Sequence, residues 1–420
     1  MSVAATGLQG ELLYFGKVPA RGDFIRSVQH PAFVDQLDRW QSQLMDRLST
    51  DPRWKLIYDQ APGLVFAVLG TGSRTALAGH WLPSVDSSGR RFPFVAASTF
   101  EWPASSALWP AVPMALDRLW LRVEQVARVA HAATALEHAQ ASLNAPLPCV
   151  VDLDAAMSAL ADFLESHTLA SLEQMLHAVG CEWSVRQSML ALGLLLTPAM
   201  AQGAGRLTKV LRLPLPAEPA VRTAVAAWWL SLVHGFFDRH ALELGVFIVP
   251  RERGAELLLG FQGASAVGLL AAIDDQTRAQ HTVSLDQSEW VESDVAQDAG
   301  LRKLSNYLRD PGLSLGQALA IYREMPWRFA LVTALYIAGN LGLVWQQWLI
   351  GHAVDDVSAG RAVVRLPEGG LDAEGFHADA GASGADAAAG GRPDILDGLL
   401  LRAEAGGLAV HQIMAAMNRH

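Results

Sequence analysis

Cysteine and charged residues are both scarce in this chain. Only two cysteines, Cys149 and Cys181, occur among 420 residues, which excludes a disulfide framework and leaves no CxxC pair for a metal. Charged residues make up 18% and apolar residues 51%, which excludes a largely disordered protein. The net charge of -10 disfavours binding to nucleic acid. We therefore expect a cytoplasmic protein that does not bind nucleic acid.

Long hydrophobic runs are also few. Residues 1–17 carry no basic residue ahead of the first apolar run and no long hydrophobic core, so we do not expect a secretory signal. Residues 329–350 form a run of 22 residues without a formal charge. As a helix this run would extend about 33 Å, enough to cross a bilayer. Asn340, Gln346 and Gln347 interrupt the run, which favours a buried core helix, with an inner-membrane anchor as the alternative.

Recognisable catalytic motifs are missing. The sequence has no GxxxxGK[ST] phosphate loop, no GxSxG elbow, no HExxH pair and no EF-hand loop. The densest metal-capable group is His234, Asp238, His240 and Glu243, but a helix would turn His240 away from His234 and Asp238. We therefore predict no metal, no cofactor and no enzyme activity.

The spacing of apolar residues predicts a fold of the α/β (α+β) class. Strands are predicted at residues 11–16, 64–69, 75–81, 92–99, 208–213, 245–249 and 255–259. Two pairs of these strands flank glycine-containing turns, which is typical of hairpins. A helix beginning at Pro31 has an apolar stripe at Phe33, Leu37, Trp40, Leu44 and Leu48, and another is predicted at 219–237. We expect a mixed, largely antiparallel sheet flanked by helices.

A helical middle and a helical carboxyl-terminal extension complete the predicted organisation. Residues 113–197 show helical spacing, with Met114, Leu121 and Val129 as apolar positions and a break at Pro198. Leu301, Leu304 and Leu308 share one face of a later helix. The predicted parts are an α/β domain at 1–275 with a helical insert at about 113–200, a helical extension at 288–377, a flexible linker at 378–392 and a closing helix at 393–420.

Two connecting segments concentrate turn-forming and charged residues. They are GKVPARGDF at 16–24 and GHWLPSVDSSGRRFP at 79–93. In a structural interpretation, Asp23 and Asp86 accept hydrogen bonds from their own turns, and Arg21 or Arg90 pairs with a carboxylate and ties the loops together.

A functional interpretation of the same loops remains open. The loops would adjoin at one edge of the sheet and present Lys17, Arg21, Asp86 and Arg90 to a partner protein. An enzymatic alternative is a hydrolase cleft in which Ser84 is the nucleophile, with His80 and Asp86 beside it.

The two segments resemble the signature motifs of a known family. The runs GKVPARGDF at 16–24 and LPSVDSSGRRFPF at 82–94, separated by one amphipathic helix and a hairpin, are similar to those of the TagF family, also called ImpM, of type VI secretion accessory proteins. Trp228 and Trp229 match the paired tryptophan that precedes a hairpin in this family, although the residues after them depart from its glycine-leucine-proline pattern. The resemblance covers about residues 10–275.

The resemblance implies a function and a set of site residues. It implies a domain without known catalysis that restrains type VI secretion after translation, through the forkhead-associated scaffold protein of that system. The location would be the cytoplasm or the inner face of the inner membrane. The residues expected to bind the partner or to form the loop scaffold are Gly16, Lys17, Pro19, Arg21, Gly22, Asp23, Phe24, Trp81, Pro83, Ser84, Asp86, Gly89, Arg90, Phe92, Pro93, Trp228 and Trp229.

Overall fold

The computed structural model describes residues 12–147, 151–180, 184–202, 207–237, 242–285, 290–297 and 299–323. The chain divides into two compact units, Met1–Ala330 and Leu331–His420, and all described residues belong to the first. The apolar run at 329–350, the predicted linker and the predicted closing helix lie outside the described residues, as do Cys149, Cys181, Asp238 and His240. The predicted domain boundaries therefore stay predictions.

Nine strands in the described part of the chain form one sheet. They are β1 (Leu12–Gly16), β2 (Ile25–Arg26), β3 (Leu64–Gly70), β4 (Thr75–Leu82), β5 (Phe94–Glu101), β6 (Val210–Leu215), β7 (Glu243–Arg251), β8 (Gly254–Gly260) and β9 (Thr282–Ser284). Their order is β2-β1-β5-β4-β3-β7-β8-β6-β9. Neighbouring strands are antiparallel except β6 and β9, which are parallel. The predicted mixed, largely antiparallel sheet is confirmed.

Helices cover both faces of this sheet. They are α1 (Pro31–Leu48), α2 (Trp54–Gln60), a short 3₁₀ helix (Ser106–Ala111), α3 (Val112–Ala132), α4 (Leu136–Leu143), α5 (Leu153–Ser166), α6 (Leu169–His177), α7 (Val185–Gln202), α8 (Pro219–His234), α9 (Ala266–Ile273), α10 (Asp275–His281), α11 (Trp290–Gln297), α12 (Ala299–Tyr307) and α13 (Leu315–Arg323). The predicted helical middle is confirmed, although α7 continues through Pro198 instead of ending there.

The stripe predicted for α1 packs on one face of the sheet. Leu37, Trp40 and Leu44 are buried in a core that includes side chains of β3, β4 and β7. The rings of Trp40 and Phe66 are 5.1 Å apart in an edge-to-face arrangement. Because strand residues alternate between faces, neighbouring positions point to the opposite side, where α3 contacts β4 and β5. There the Trp120 indole donates a hydrogen bond to the Phe66 carbonyl over 2.9 Å.

The helical spacing predicted at Met114, Leu121 and Val129 is confirmed, because all three residues lie in α3. These residues do not mark the most buried face of the helix, since Leu121 is 60% exposed and Val129 is 50% exposed. The buried face carries Leu116, Leu119 and Val123.

Gly16 joins the sheet to the first loop in a conformation that excludes a side chain. Its φ is 138°, and a Cβ added there would lie 2.1 Å from the Pro93 carbonyl oxygen. We expect Gly16→Ala to lower the free energy of unfolding by about 2 kcal/mol or more, through backbone strain and this clash. Urea denaturation would show a lower midpoint with an unchanged slope.

Gly72→Ala is the matched control for this substitution. Gly72 lies in the β3–β4 turn, and an added Cβ would meet no atom within 4 Å. The control should change the unfolding free energy by no more than about 0.5 kcal/mol. Equal midpoints for the two variants would contradict the role assigned to Gly16.

Candidate functional site

The two loops meet where β1 ends and β5 begins. Gly16 pairs with Ile25 of β2 on one side and with Phe94 of β5 on the other. The backbone N–H of Ser87 donates to the Arg21 carbonyl over 3.0 Å. The Ser84 hydroxyl donates to the Lys17 carbonyl over 2.7 Å. The loops therefore adjoin at one edge of the sheet.

The Asp86 carboxylate is the centre of this junction. Asp86 is only 2% exposed, and its Oδ2 lies 3.0 Å from the Lys17 ammonium and 2.7 Å from Arg90 Nε. Its Oδ1 accepts hydrogen bonds from the backbone N–H groups of Ser88 and Arg90, each over 2.9 Å, and from the Ser88 hydroxyl over 2.7 Å. Arg90 also donates to the Gly22 carbonyl, so one guanidinium connects both loops.

These contacts determine the charge state of Asp86. Burial by itself would raise the pKa of the carboxyl group. The hydrogen bonds from Ser88, Arg90 and Lys17 outweigh burial and hold the pKa of Asp86 far below its ordinary value. The group is therefore ionised at neutral pH, and it organises the cations and N–H groups around it.

Helix α2 contacts the second loop through hydrogen bonds between Tyr58 and Ser84. The Tyr58 hydroxyl donates to the Ser84 carbonyl over 2.8 Å and accepts from the Ser84 N–H over 2.7 Å. Burial raises the pKa of Tyr58, so its phenol stays protonated. The neighbouring Asp59 accepts two hydrogen bonds of 2.7 Å from Arg91. Sequence analysis did not identify Tyr58 or Asp59, because α2 is short and carries no motif.

Three aromatic rings lie over the ion cluster that Lys17, Asp86 and Arg90 form. Phe24 stacks on Phe15 with ring centroids 5.5 Å apart, and Phe92 meets Phe24 edge-on at 4.8 Å. The Lys17 ammonium lies 5.0 Å from the centre of the Phe24 ring, in the range of a cation–π interaction. Phe24 remains 36% exposed, so it forms both the cover of the cluster and part of the surface.

The predicted site residues separate into a scaffold and a surface. Lys17, at 7% exposure, and Asp86 are buried and belong to the scaffold, which leaves them no surface to offer to a partner. Gly16, Trp81, Ser84 and Pro93 are buried too, while Pro19, Pro83 and Phe92 are half-buried. The surface part, which we call the loop rim, consists of half-buried Arg21 and exposed Gly22, Asp23, Phe24, Ser87, Ser88, Gly89 and Arg90.

Two rim residues match the structural interpretation directly. Asp23 accepts a hydrogen bond of 2.8 Å from the N–H of Phe24 in its own turn. Gly89 has a φ of 81°, which favours glycine.

Trp228 and Trp229 belong to the core. Both are fully buried in α8, with ring centroids 4.6 Å apart. The Trp229 indole donates to the Pro214 carbonyl of β6 over 2.9 Å. Their burial means that they do not contribute to the loop rim.

The residues of the hydrolase alternative do not form a hydrogen-bonded relay. The Ser84 hydroxyl is buried and donates to a backbone carbonyl, and neither ring nitrogen of His80 has a hydrogen-bond partner in the described part of the chain. Burial lowers the pKa of His80 to about 4; the negative charge of Glu124 raises it in part, and the positive charge of Arg128 lowers it further. A neutral His80 that does not contact Ser84 gives this hydroxyl no general base.

The described ranges contain neither a cluster of metal ligands nor a membrane-spanning helix. No group of three histidine, cysteine, aspartate or glutamate side chains there could hold a metal ion. Among the same residues, no helix has both the length and the apolar character needed to cross a membrane. The alternative anchor at 329–350 falls outside these ranges.

Comparison with known proteins identifies the part of the chain that carries the loops. Residues 13–145 match the TagF N-terminal domain, type VI secretion system-associated. This segment is a TagF N-terminal domain. It contains β1–β5 and both loops, whereas Trp228 and Trp229 lie beyond it.

A solved structure is also similar to the chain. It is the crystal structure of PA0076 from Pseudomonas aeruginosa PAO1, with 28% sequence identity and a TM-score of 0.27. The match covers 33% of this chain and 65% of that chain. No curated protein matches the chain.

The Tyr58 contact with the second loop can be tested by removing one oxygen atom. Tyr58→Phe would leave the Ser84 N–H without its buried acceptor, while the Ser84 carbonyl would keep only the hydrogen bond from the Phe92 N–H. We expect the unfolding free energy to fall by about 1–3 kcal/mol, measured by urea denaturation. Tyr307→Phe, at an exposed position, is the control and should be close to neutral. If the two variants were equally stable, the Tyr58 hydroxyl would not hold the loop.

The depressed pKa of Asp86 predicts a specific dependence of stability on pH. Because the folded pKa lies below the unfolded value of about 3.9, the ionised group stabilises the fold above that pH. This stabilisation is lost as the pH falls through about 3.9 toward the folded pKa. Asp86→Asn should therefore be less stable at pH 7, and its stability should decline less on acidification. Urea midpoints between about pH 7 and 3 measure both effects.

Asp35→Asn, on the exposed face of α1, is the control for this titration. Its profile should follow that of the unmodified protein. If the stabilities of Asp86→Asn and of the unmodified protein declined in parallel on acidification, the ionisation of Asp86 would not contribute the predicted stabilisation.

Proposed function

We propose that this protein is a non-enzymatic regulator that represses type VI secretion after translation by binding another protein. The TagF N-terminal domain supports the association with this secretion system. The observation that carries the proposal is the loop rim, an exposed surface held by a buried ion cluster. We further propose that the protein works in the cytoplasm.

The construction of the rim suits protein recognition. Asp86 and its partners hold the loops in one arrangement before binding, which reduces the entropy lost on association. The rim combines an exposed aromatic ring, Phe24, with the opposite charges of Arg21 and Asp23. Aromatic and arginine side chains surrounded by polar groups are typical of binding hot spots.

The absence of catalysis is part of the proposal. The most plausible nucleophile in the loops, Ser84, donates its hydroxyl proton to the Lys17 carbonyl and is buried. The Asp86 carboxylate is occupied by Lys17, Ser88 and Arg90. These side chains are used to hold the loops together, which favours a binding surface over a reaction centre.

The proposed partner is the forkhead-associated scaffold protein of the type VI secretion system. This partner follows from the family resemblance of the two loop motifs. The mixed charges of the rim also fit a protein surface better than a polyanion, since nucleic acid would select for an excess of cations.

Charge reversal of the rim tests the proposal. In Arg21→Glu/Asp23→Lys, both side chains change sign while the backbone bond from Ser87 to Arg21 can remain. We expect the variant to bind the scaffold protein at least about tenfold more weakly and to release effector secretion to the level of a gene deletion. Binding is measured with the purified proteins, and secretion by the amount of effector in the culture medium.

The matched control reverses an exposed pair of opposite charges elsewhere. Asp35→Lys/Arg39→Glu changes two exposed residues of α1 that lie one helical turn apart. The control should bind and repress like the unmodified protein, and circular dichroism should show that both variants are folded. Full repression by the rim variant would place the binding surface elsewhere, and unchanged secretion after gene deletion would exclude the regulatory function.

A further inference from the structure

A pocket lies at the end of β4 that is remote from the loop rim. Its wall includes Trp40 of α1, Phe66 of β3, Thr75 of β4 and Glu243 of β7, and its volume is about 100 Å³. We call it the hairpin pocket. Strand β4 begins there with Thr75 and has eight residues. At about 3.3 Å per residue its other end, at Leu82, is about 23 Å away. The hairpin pocket is therefore separate from the loop rim.

The inner part of the hairpin pocket is apolar. Its residues are buried and come from α1, β3 and β4, namely Leu37, Trp40, Phe66 and Leu77. The Trp40 indole nitrogen is buried and has no hydrogen-bond partner in the described part of the chain, so Trp40 contributes apolar surface. The volume corresponds to about three water molecules at about 30 Å³ each. Water against these walls has few hydrogen-bond partners, so its replacement by an aliphatic group would be favourable.

The mouth of the hairpin pocket carries a negative charge. Its exposed residues are Gln36, Thr75 and Glu243, and Glu243 is the only charged residue among the described residues of the wall. Within the described ranges the Glu243 carboxylate forms no hydrogen bond and no ion pair. A Cβ added at Gly263 would lie 2.6 Å from Glu243 Oε2, and one added at Gly70 would lie 3.7 Å from Glu243 Cγ. The Glu243 side chain thus lies between two glycines, with its charge available to a ligand.

An apolar interior and an anionic mouth select an amphiphilic cation. An aliphatic group gains free energy when the interior removes it from water, and a positive charge is attracted by Glu243 at the mouth. A bare metal ion does not fit, because Mg²⁺ and Ca²⁺ take about six to eight oxygen ligands and the described wall supplies one carboxylate. The volume of about 100 Å³ is well below the roughly 300 Å³ of ordinary ligand pockets, which restricts the ligand to a short chain.

We propose that the hairpin pocket binds a small primary alkylammonium ion. The aliphatic part lies against Trp40 and Phe66, whose rings are 5.1 Å apart, and the ammonium group donates a hydrogen bond to the Glu243 carboxylate. Trp40 and Phe66 belong to the matched segment 13–145, whereas Glu243 lies beyond it, so the pocket is complete only in the longer chain. The proposal is independent of the loop rim and of the partner proposed above.

Ligand-observed NMR titration of the full-length protein tests the proposal. The probes are 3-methylbutylammonium, the neutral 3-methylbutanol and the anionic 4-methylpentanoate, which share one aliphatic skeleton. Each is added at constant ionic strength, because salt screens exposed charges. We expect saturable binding of the ammonium with a dissociation constant of about 1–10 mM, since a ligand this small makes few contacts. The alcohol should bind about two- to fivefold more weakly, the range of an exposed ion pair, and the carboxylate should bind most weakly.

Matched substitutions assign the binding to the hairpin pocket. Glu243→Gln removes the charge at an exposed position, and the three probes should then bind equally to within about a factor of two. Glu252→Gln, exposed in the turn between β7 and β8, is the control and should keep the order of the unmodified protein. Ala264→Leu adds volume at a half-buried position of the wall and should weaken the binding of every probe. Thermal melting without ligand verifies that the variants are folded.

Three results would overturn the proposal. The first is no saturable binding of 3-methylbutylammonium up to about 50 mM, well above a millimolar dissociation constant. The second is binding of the three probes with equal affinity to the unmodified protein, which would show an apolar site without recognition of charge. The third is an equal loss of ammonium binding in Glu243→Gln and Glu252→Gln, which would show a general effect of the net charge.

Discussion

The junction of the two loops depends on the buried Asp86 carboxylate. This group faces the Lys17 ammonium and the Arg90 guanidinium and also accepts two backbone N–H bonds. Leaving such a charge without partners inside a protein is costly, so the loops are held in the arrangement that surrounds it. The contacts of the Asp86 carboxylate hold the exposed rim residues, from Asp23 to Gly89, in position. The buried Lys17–Asp86 pair has a structural role, and the surface side chains remain available for recognition.

Local patterns allowed much of this arrangement to be predicted from the sequence. The stripe of α1 and the two glycine-containing hairpins were predicted because each depends on residues close together in the chain. The adjacency of the two loops was one interpretation of their composition. The burial of Lys17 was not predictable, because lysine is almost always exposed unless it is paired. The role of Tyr58 was also missed, since its partner Ser84 lies 26 residues away and α2 has no motif.

The pairing of β3 with β7 has a consequence for how this protein can be divided. The TagF N-terminal domain match ends at residue 145, yet β3, inside that segment, forms a ladder from Val65–Ile248 to Gly70–Glu243 with a strand beyond it. A fragment cut at residue 145 would turn a central strand into a bare edge and uncover Phe66, which packs beside Phe247 in the native core. Such edges pair readily with other chains. The segment that matches the family therefore shares its sheet with strands that lie beyond residue 145.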